Sequence, residues 1–185
     1  GNPLQYLDGE KGATANATEF GSTGDFGIPN IDGKSTTVMK VGHVGANANF
    51  GYLMDHGITP NGGGKKVNQY TVIYDIYFTG GGNGWASLLN MDSQGDGDVF
   101  WRRNDGGLGQ GGGGYEPDDP KLKVNKGQWH RVVLAVDLAQ GLYEKYIDGN
   151  YHSSQANAGL DGRQSMKPSA WLFNDNDGEN GELYV

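Results

Sequence analysis

The sequence predicts an all-β chain: a two-sheet antiparallel β-sandwich of jelly-roll type, with little helix. Three observations carry this. Short runs rich in β-branched and aromatic residues recur along all 185 residues, separated by Gly, Asn and Asp clusters. The stretch from Lys126 to His152 reads as two strands joined by a Gly-containing turn, followed by a second tight turn at Asp148-Gly149-Asn150. No 11-residue window keeps apolar residues at i, i+3, i+4 and i+7, the spacing of an amphipathic helix.

In chain order the strands are expected at 4–7, 17–20, 36–41, 49–54, 69–78, 85–91, 98–103, 129–138, 142–148, 170–174 and 182–185. The run 69–78 shows where the core lies. Tyr70, Val72, Tyr74, Ile76 and Phe78 share one face, because strand side chains alternate with period two. Thr71, Ile73, Asp75 and Tyr77 share the other, with Asp75 toward the concave or solvent side. The run 129–138 is apolar on both faces, so it is expected to be a central strand covered on both sides. The last run stops at Val185 inside an apparent strand, so either the end is removed or the last strand is short, and an uncovered neighbouring edge would be a template for pairing with another chain.

Length and the absence of a dividing linker make 1–185 a single domain. The chain starts at Gly1 without Met, which reads as a processed or excised start, with the rest of a larger protein elsewhere. Hydrophobic residues make up only 35%, but 11% are aromatic and each of those buries a large area, so a core is within reach. The net charge is −8 and the few Lys and Arg are scattered, which excludes a nucleic-acid footprint. No apolar run reaches the length of a membrane-spanning helix. Cysteine is absent, which excludes disulfides, thiolate metal sites and Cys nucleophiles.

The segment from Lys126 carries G-x-W-H-x-V (Gly127, Trp129, His130, Val132) and then Y-x-D-G (Tyr146, Asp148, Gly149). With NQYTVIYDIYF, GWASLLNMD, DVFWRRNDGGLG and WLFNDNDGENGELYV, it resembles the laminin-G-like domains of the concanavalin A-like lectin/glucanase superfamily. The resemblance covers the chain from about Phe50 onward. It implies the sandwich fold, a secreted protein and a glycan partner, with homo-oligomers or a multidomain parent as further options. Function itself must come from a site, since this fold hosts many activities.

The residues argue against catalysis. Retaining glycoside hydrolysis needs two carboxylates about 5 Å apart, and no E-x-D-x-E pattern exists. Lys145 to Tyr151 echoes a lyase Y-F-K-x-G-x-Y pattern, but Asp148-Gly149-Asn150 is better read as a hairpin turn and the matching arginine motif is absent. The four histidines lack metal-ligand spacing, and His130 is expected to be structural. No G-x-S-x-G elbow is present. Calcium is the cofactor the residues could hold. Asp175, Asp177 and Glu179 put hard oxygens in a loop with a glycine, and the alternative is an Asx-rich turn bonding its own backbone.

Carbohydrate recognition needs aromatic platforms and planar polar groups near mobile loops. Trp85, Trp101, Arg102, Arg103, Asp105 and Tyr115 surround glycine-rich segments that let a ligand approach the backbone. The alternative for Trp85 and Trp101 is a place in the core. The two arginines favour an anion or uronate over a neutral sugar. The expected function is therefore a non-catalytic secreted carbohydrate-binding module. A structural or assembly subunit using an open sheet edge, and a polysaccharide lyase or hydrolase with an unfamiliar site, are the alternatives.

Overall fold

The computed structural model describes residues 4–6, 13–43, 50–91, 98–110, 118–156, 159–175, 178 and 180–185. Two antiparallel sheets pack face to face. One holds β1 (Gln5–Tyr6), β4 (Phe50–Asp55), β12 (Ser169–Asp175), β6 (Ala86–Asn90), β7 (Asp98–Arg102) and β8 (Leu108–Gly109), in that order. The other runs β11 (Asn150–Ser154), β10 (Leu142–Ile147), β9 (Trp129–Asp137), β5 (Gln69–Gly80), β13 (Glu182–Tyr184), β3 (Thr37–Val41) and β2 (Thr18–Ser22). A five-residue helix, α1 (Ala13–Ala17), and one 3-10 turn (Pro120–Leu122) are the helical elements described.

The alternation read from 69–78 is present. Tyr70, Tyr74, Ile76 and Phe78 are buried, while Ile73 is 59% exposed. Inward aromatics hold the sheets together, each worth about 1.5–3 kcal/mol of burial. Phe50, Tyr52, Phe78, Phe100, Tyr143 and Phe173 are all fully buried. A buried phenol needs a partner, and here the partners lie across the sandwich. Tyr74 of β5 donates to the Leu88 carbonyl of β6 at 3.0 Å, and Tyr143 of β10 donates to the Val99 carbonyl of β7.

The signature hairpin is built as the sequence predicts. β9 pairs with β10, and β10 turns into β11 with Ile147 opposite Asn150. The two turn residues, Asp148 (φ 50) and Gly149 (φ 78), have the positive φ of a primed turn.

Two expectations need correction. β9 is covered on one face only. His130, Val132, Leu134 and Val136 are buried, but Trp129, Val133 and Ala135 are half-buried and Arg131 is exposed. The second face belongs to the outside of the seven-stranded sheet. β13, in turn, does not border an open edge: it lies between β5 and β3, pairing Leu183 with both Phe78 and Val41. The described edges are β11 and β2 of one sheet and β1 and β8 of the other.

Candidate functional site

β5 ends at Gly80 and the chain returns to β6 through Gly81-Gly82-Asn83-Gly84. Gly80, Gly81, Gly82 and Gly84 all have positive φ, between 48° and 120°, which non-glycine residues rarely adopt. Gly84 N–H donates to the Gly81 carbonyl at 3.1 Å, closing the turn. This loop forms one wall of an open cleft of about 410 Å³. Phe78, Arg102, Asn104, Asp105, Asn125 and Lys126 line the rest. That size falls within the range of small-ligand sites.

Arg102 and Arg103 follow each other but do different things. Arg102 is only 3% exposed. Its Nε donates to the Val124 carbonyl at 3.0 Å, and its Nη1 donates to the carbonyls of Gly84 (2.5 Å) and Arg103 (3.0 Å). The guanidinium lies over the Phe78 ring, 3.7 Å from its centroid. It thus ties the glycine loop, the turn after β7 and the segment before β9 into one floor. Burial pushes its pKa down to about 10, so it stays cationic at neutral pH.

Arg103 forms a two-point pair with Asp105, Nε at 2.8 Å and Nη2 at 2.5 Å. Asp105 also accepts from Lys123 Nζ at 2.7 Å and from Gly107 N–H at 3.1 Å. The Arg103 bond, then Lys123 and the backbone donor, hold its carboxyl well below the usual carboxylate range against the opposing effect of burial.

Trp85 and Trp101 pack edge to face, ring centroids 6.1 Å apart. Trp101 is only 8% exposed, so the structure gives it the interior place weighed against a platform role. Trp85 is half-buried beside it, and neither lines the cleft. Of the residues singled out from sequence, the cleft therefore brings together Arg102 and Asp105, with Arg103 beside them. Tyr115, Asp177 and Glu179 lie outside the described residues. Of Asp175 only the backbone is described, opposite Phe50 at the end of β12. Among the described residues no group of three His, Asp or Glu could hold a metal ion.

Sequence reasoning missed Lys126 and Asn125. Lys126 opens the G-x-W-H signature, but its place beside Gly80 comes from a bridge between Phe78 and Lys126, 48 positions apart, that no local pattern reveals. The Lys126 side chain lies across Gly80, in space a Cβ there would occupy.

A second surface feature lies on the outer face of the seven-stranded sheet. Tyr151, Tyr146, Val133 and Ile73 stand opposite one another across β11, β10, β9 and β5. Tyr151 is 52% exposed and packs edge to face on Tyr146, with centroids 5.7 Å apart.

No family model matches the chain, and no curated protein matches it. Solved structures of similar fold do exist. The binding domain of botulinum neurotoxin serotype D superposes with a TM-score of 0.53 at 14% identity, over 98% of this chain and 41% of that one. The binding domain of Paraclostridial Mosquitocidal Protein 1 gives 0.53 at 15% identity, over 98% and 42%. An endo-β-1,4-glucuronan lyase from the fungus Trichoderma reesei gives 0.52 at 13% identity, over 97% and 91%. The chain thus spans about two fifths of the two toxin chains and most of the lyase. At these identities the likeness establishes the shared sandwich fold.

Proposed function

We propose that this chain is a secreted, non-catalytic carbohydrate-binding module of laminin-G-like type, with the glycine-walled cleft as its site. The observation that carries the reading is the cleft itself. A loop of glycines with one side chain, Asn83, opens about 410 Å³ next to Asn104, Asn125, Asp105 and two basic residues, Arg102 and Lys126. Sugar hydroxyls are bound by such planar amide, carboxylate and guanidinium groups, and bare glycines admit the ring close to the backbone. The sandwich fold shared with two toxin binding domains and with a glucuronan lyase supports the reading without naming a sugar.

The non-catalytic part has its own support. Asp105 is the one carboxylate among the described residues that line the cleft, and it is neutralised by Arg103 and Lys123. A glycosidase needs two, one of them able to hold a proton near neutral pH. The lyase-like run also fails to converge. Lys145 points into the sandwich and is fully buried, while Tyr146 faces outward and donates to Glu144 at 2.6 Å.

Calorimetric titration across a panel of neutral and acidic oligosaccharides tests the module. Saturable heat is expected from at least one glycan, weakened about tenfold or more by Asn104→Ala, in line with the loss of a ligand hydrogen bond left unmade. No heat from any glycan overturns the reading.

The second reading is an assembly role. It is favoured by the outward-facing row Tyr151–Tyr146–Val133–Ile73, exposed at its two ends and half-buried between, since contiguous accessible apolar surface marks interaction sites.

A further inference from the structure

We propose that the cleft selects glycans bearing a carboxylate, with Lys126 as the residue that sets this choice and Arg102 as the fixed charge beneath it. This rests on the glycan-binding reading of the same site.

The argument is one of charge. Around the cleft, Arg103 and Lys123 are satisfied by Asp105 and Asp118 through ion pairs of 2.5–3.1 Å. Glu182, across the ladder from Gly80, is held by Lys40 at 3.5 Å and by the Thr79 hydroxyl. Two cations remain. Arg102 spends its described hydrogen bonds on backbone carbonyls, which orient the guanidinium without cancelling its charge. Lys126 is exposed and lies along Gly80, its ammonium beside that glycine's backbone. Among the described residues, no carboxylate forms an ion pair with Arg102 or Lys126. Arg102, Arg103, Lys123 and Lys126 against Asp105 and Asp118 leave +2 at this spot, and +1 once Lys40 and the two carboxylates it shares, Glu19 and Glu182, are included, in a chain whose net charge is −8.

A buried, oriented guanidinium next to a free ammonium is an anion site. The neighbouring Asn104 and Asn125 add amide groups that suit ring hydroxyls rather than a bare inorganic ion. A uronate unit combines both demands: a planar carboxylate for the two cations, and hydroxyls for the amides. The sequence placed this charge preference on the adjacent arginines. The structure moves it to Arg102 and Lys126, since Arg103 is tied to Asp105.

The test compares oligogalacturonate with the same oligomer after chemical reduction of its carboxyl groups, and with a sulfated neutral oligomer, by calorimetry. Oligogalacturonate is expected to bind at least tenfold tighter than the reduced oligomer, and to weaken as NaCl rises from 50 to 500 mM. Lys126→Ala should lower oligogalacturonate affinity about 10–100-fold, the range of a charged hydrogen bond, with little effect on the reduced oligomer. Lys126→Arg should restore most of the loss. Lys126 is exposed, so these variants keep the fold. Equal binding of reduced and acidic oligomers, or full affinity in Lys126→Ala, overturns the charge assignment while leaving the glycan site standing. Binding of the sulfated oligomer alone overturns the carboxylate. If neither these oligomers nor any glycan of the wider panel binds, the site reading and the inference fall together.

Discussion

Asp148 sits at φ 50 and still makes three hydrogen bonds to His130 and Arg131 through its side chain and N–H. Its Oδ1 accepts from Arg131 N–H at 2.8 Å, and its N–H donates to the Arg131 carbonyl at 2.8 Å. Its Oδ2 lies 2.8 Å from His130 Nδ1. The other ring nitrogen of His130 accepts from Asn125 N–H at 3.1 Å, so Nδ1 carries the proton and donates to Asp148. The W-H and D-G halves of the signature are thus one hydrogen-bonded unit, and it anchors the segment that carries Lys126. Asp148→Ala is expected to cost about 2–4 kcal/mol, from two lost acceptors and a left-handed backbone that alanine resists. Asp148→Asn should cost clearly less, because Asn tolerates that backbone and keeps one acceptor. Urea denaturation checks this, and equal midpoints for the wild type and Asp148→Ala would contradict it. A structural role for His130 was legible in the sequence, because the pattern fixed its neighbours. The split between Arg102 and Arg103 was not. Adjacent residues have the same composition and spacing signals, and only the packing of Gly84, Val124 and Phe78 around one of them decides which is buried.

At the scale of elements, the strands that sequence reasoning found are those with long alternation or bulky apolar runs, such as β5 and β9. It missed β8, which is two residues long, and β11, whose run Asn-Tyr-His-Ser-Ser buries only His152. Such a strand is held by its partner: β10 supplies the ladder and the primed turn sets the register. The misreading of β9 has a related cause. Val133 and Ala135 look like core residues, but among the described residues no layer covers that face and both stay half-buried: Val133 stands in the row with Ile73, Tyr146 and Tyr151, and Ala135 between Thr71 and Glu144. If this row joins copies of the chain, light scattering should show mass rising with concentration, and Ile73→Lys should suppress the rise. Ile73 is 59% exposed, so the variant should keep its stability within about 0.5 kcal/mol. A monomeric mass for the wild type at every concentration removes the assembly reading.

The molecule as a whole buries titratable groups of opposite tendency, and their sum predicts an unusual pH profile. His152 is pushed down to about 4 from 6.5, first by burial and then by the positive charges of Lys145 and Lys123. The unfolded chain binds that proton more tightly, so its contribution is present above pH 6.5 and lost as pH falls through 4. Lys145 is fully buried, with its ammonium donating to the Gln155 side-chain carbonyl, and burial pushes its pKa down from 10.5 to about 7. Again the unfolded chain is the better base, so stability declines as pH falls from 10.5 to 7 and stays low below. Tyr70 and Tyr74 act in the other direction. Burial pushes both phenols up from 10, so their contribution is complete below pH 10 and lost as pH rises beyond it. Together these groups place the maximum near pH 9–10, above the usual range of about 5–8. Urea midpoints measured from pH 4 to 11 should rise in two steps, near 4–6.5 and near 7–10, and then fall. Lys145→Met should remove the second step and raise stability at pH 7, because it keeps the bulk of the side chain without the charge. A wild-type maximum between pH 5 and 8 that Lys145→Met leaves unchanged would show that the Lys145 ammonium is not desolvated by the fold, and the basic pair inside the β10–β11 layer would have to be solvated.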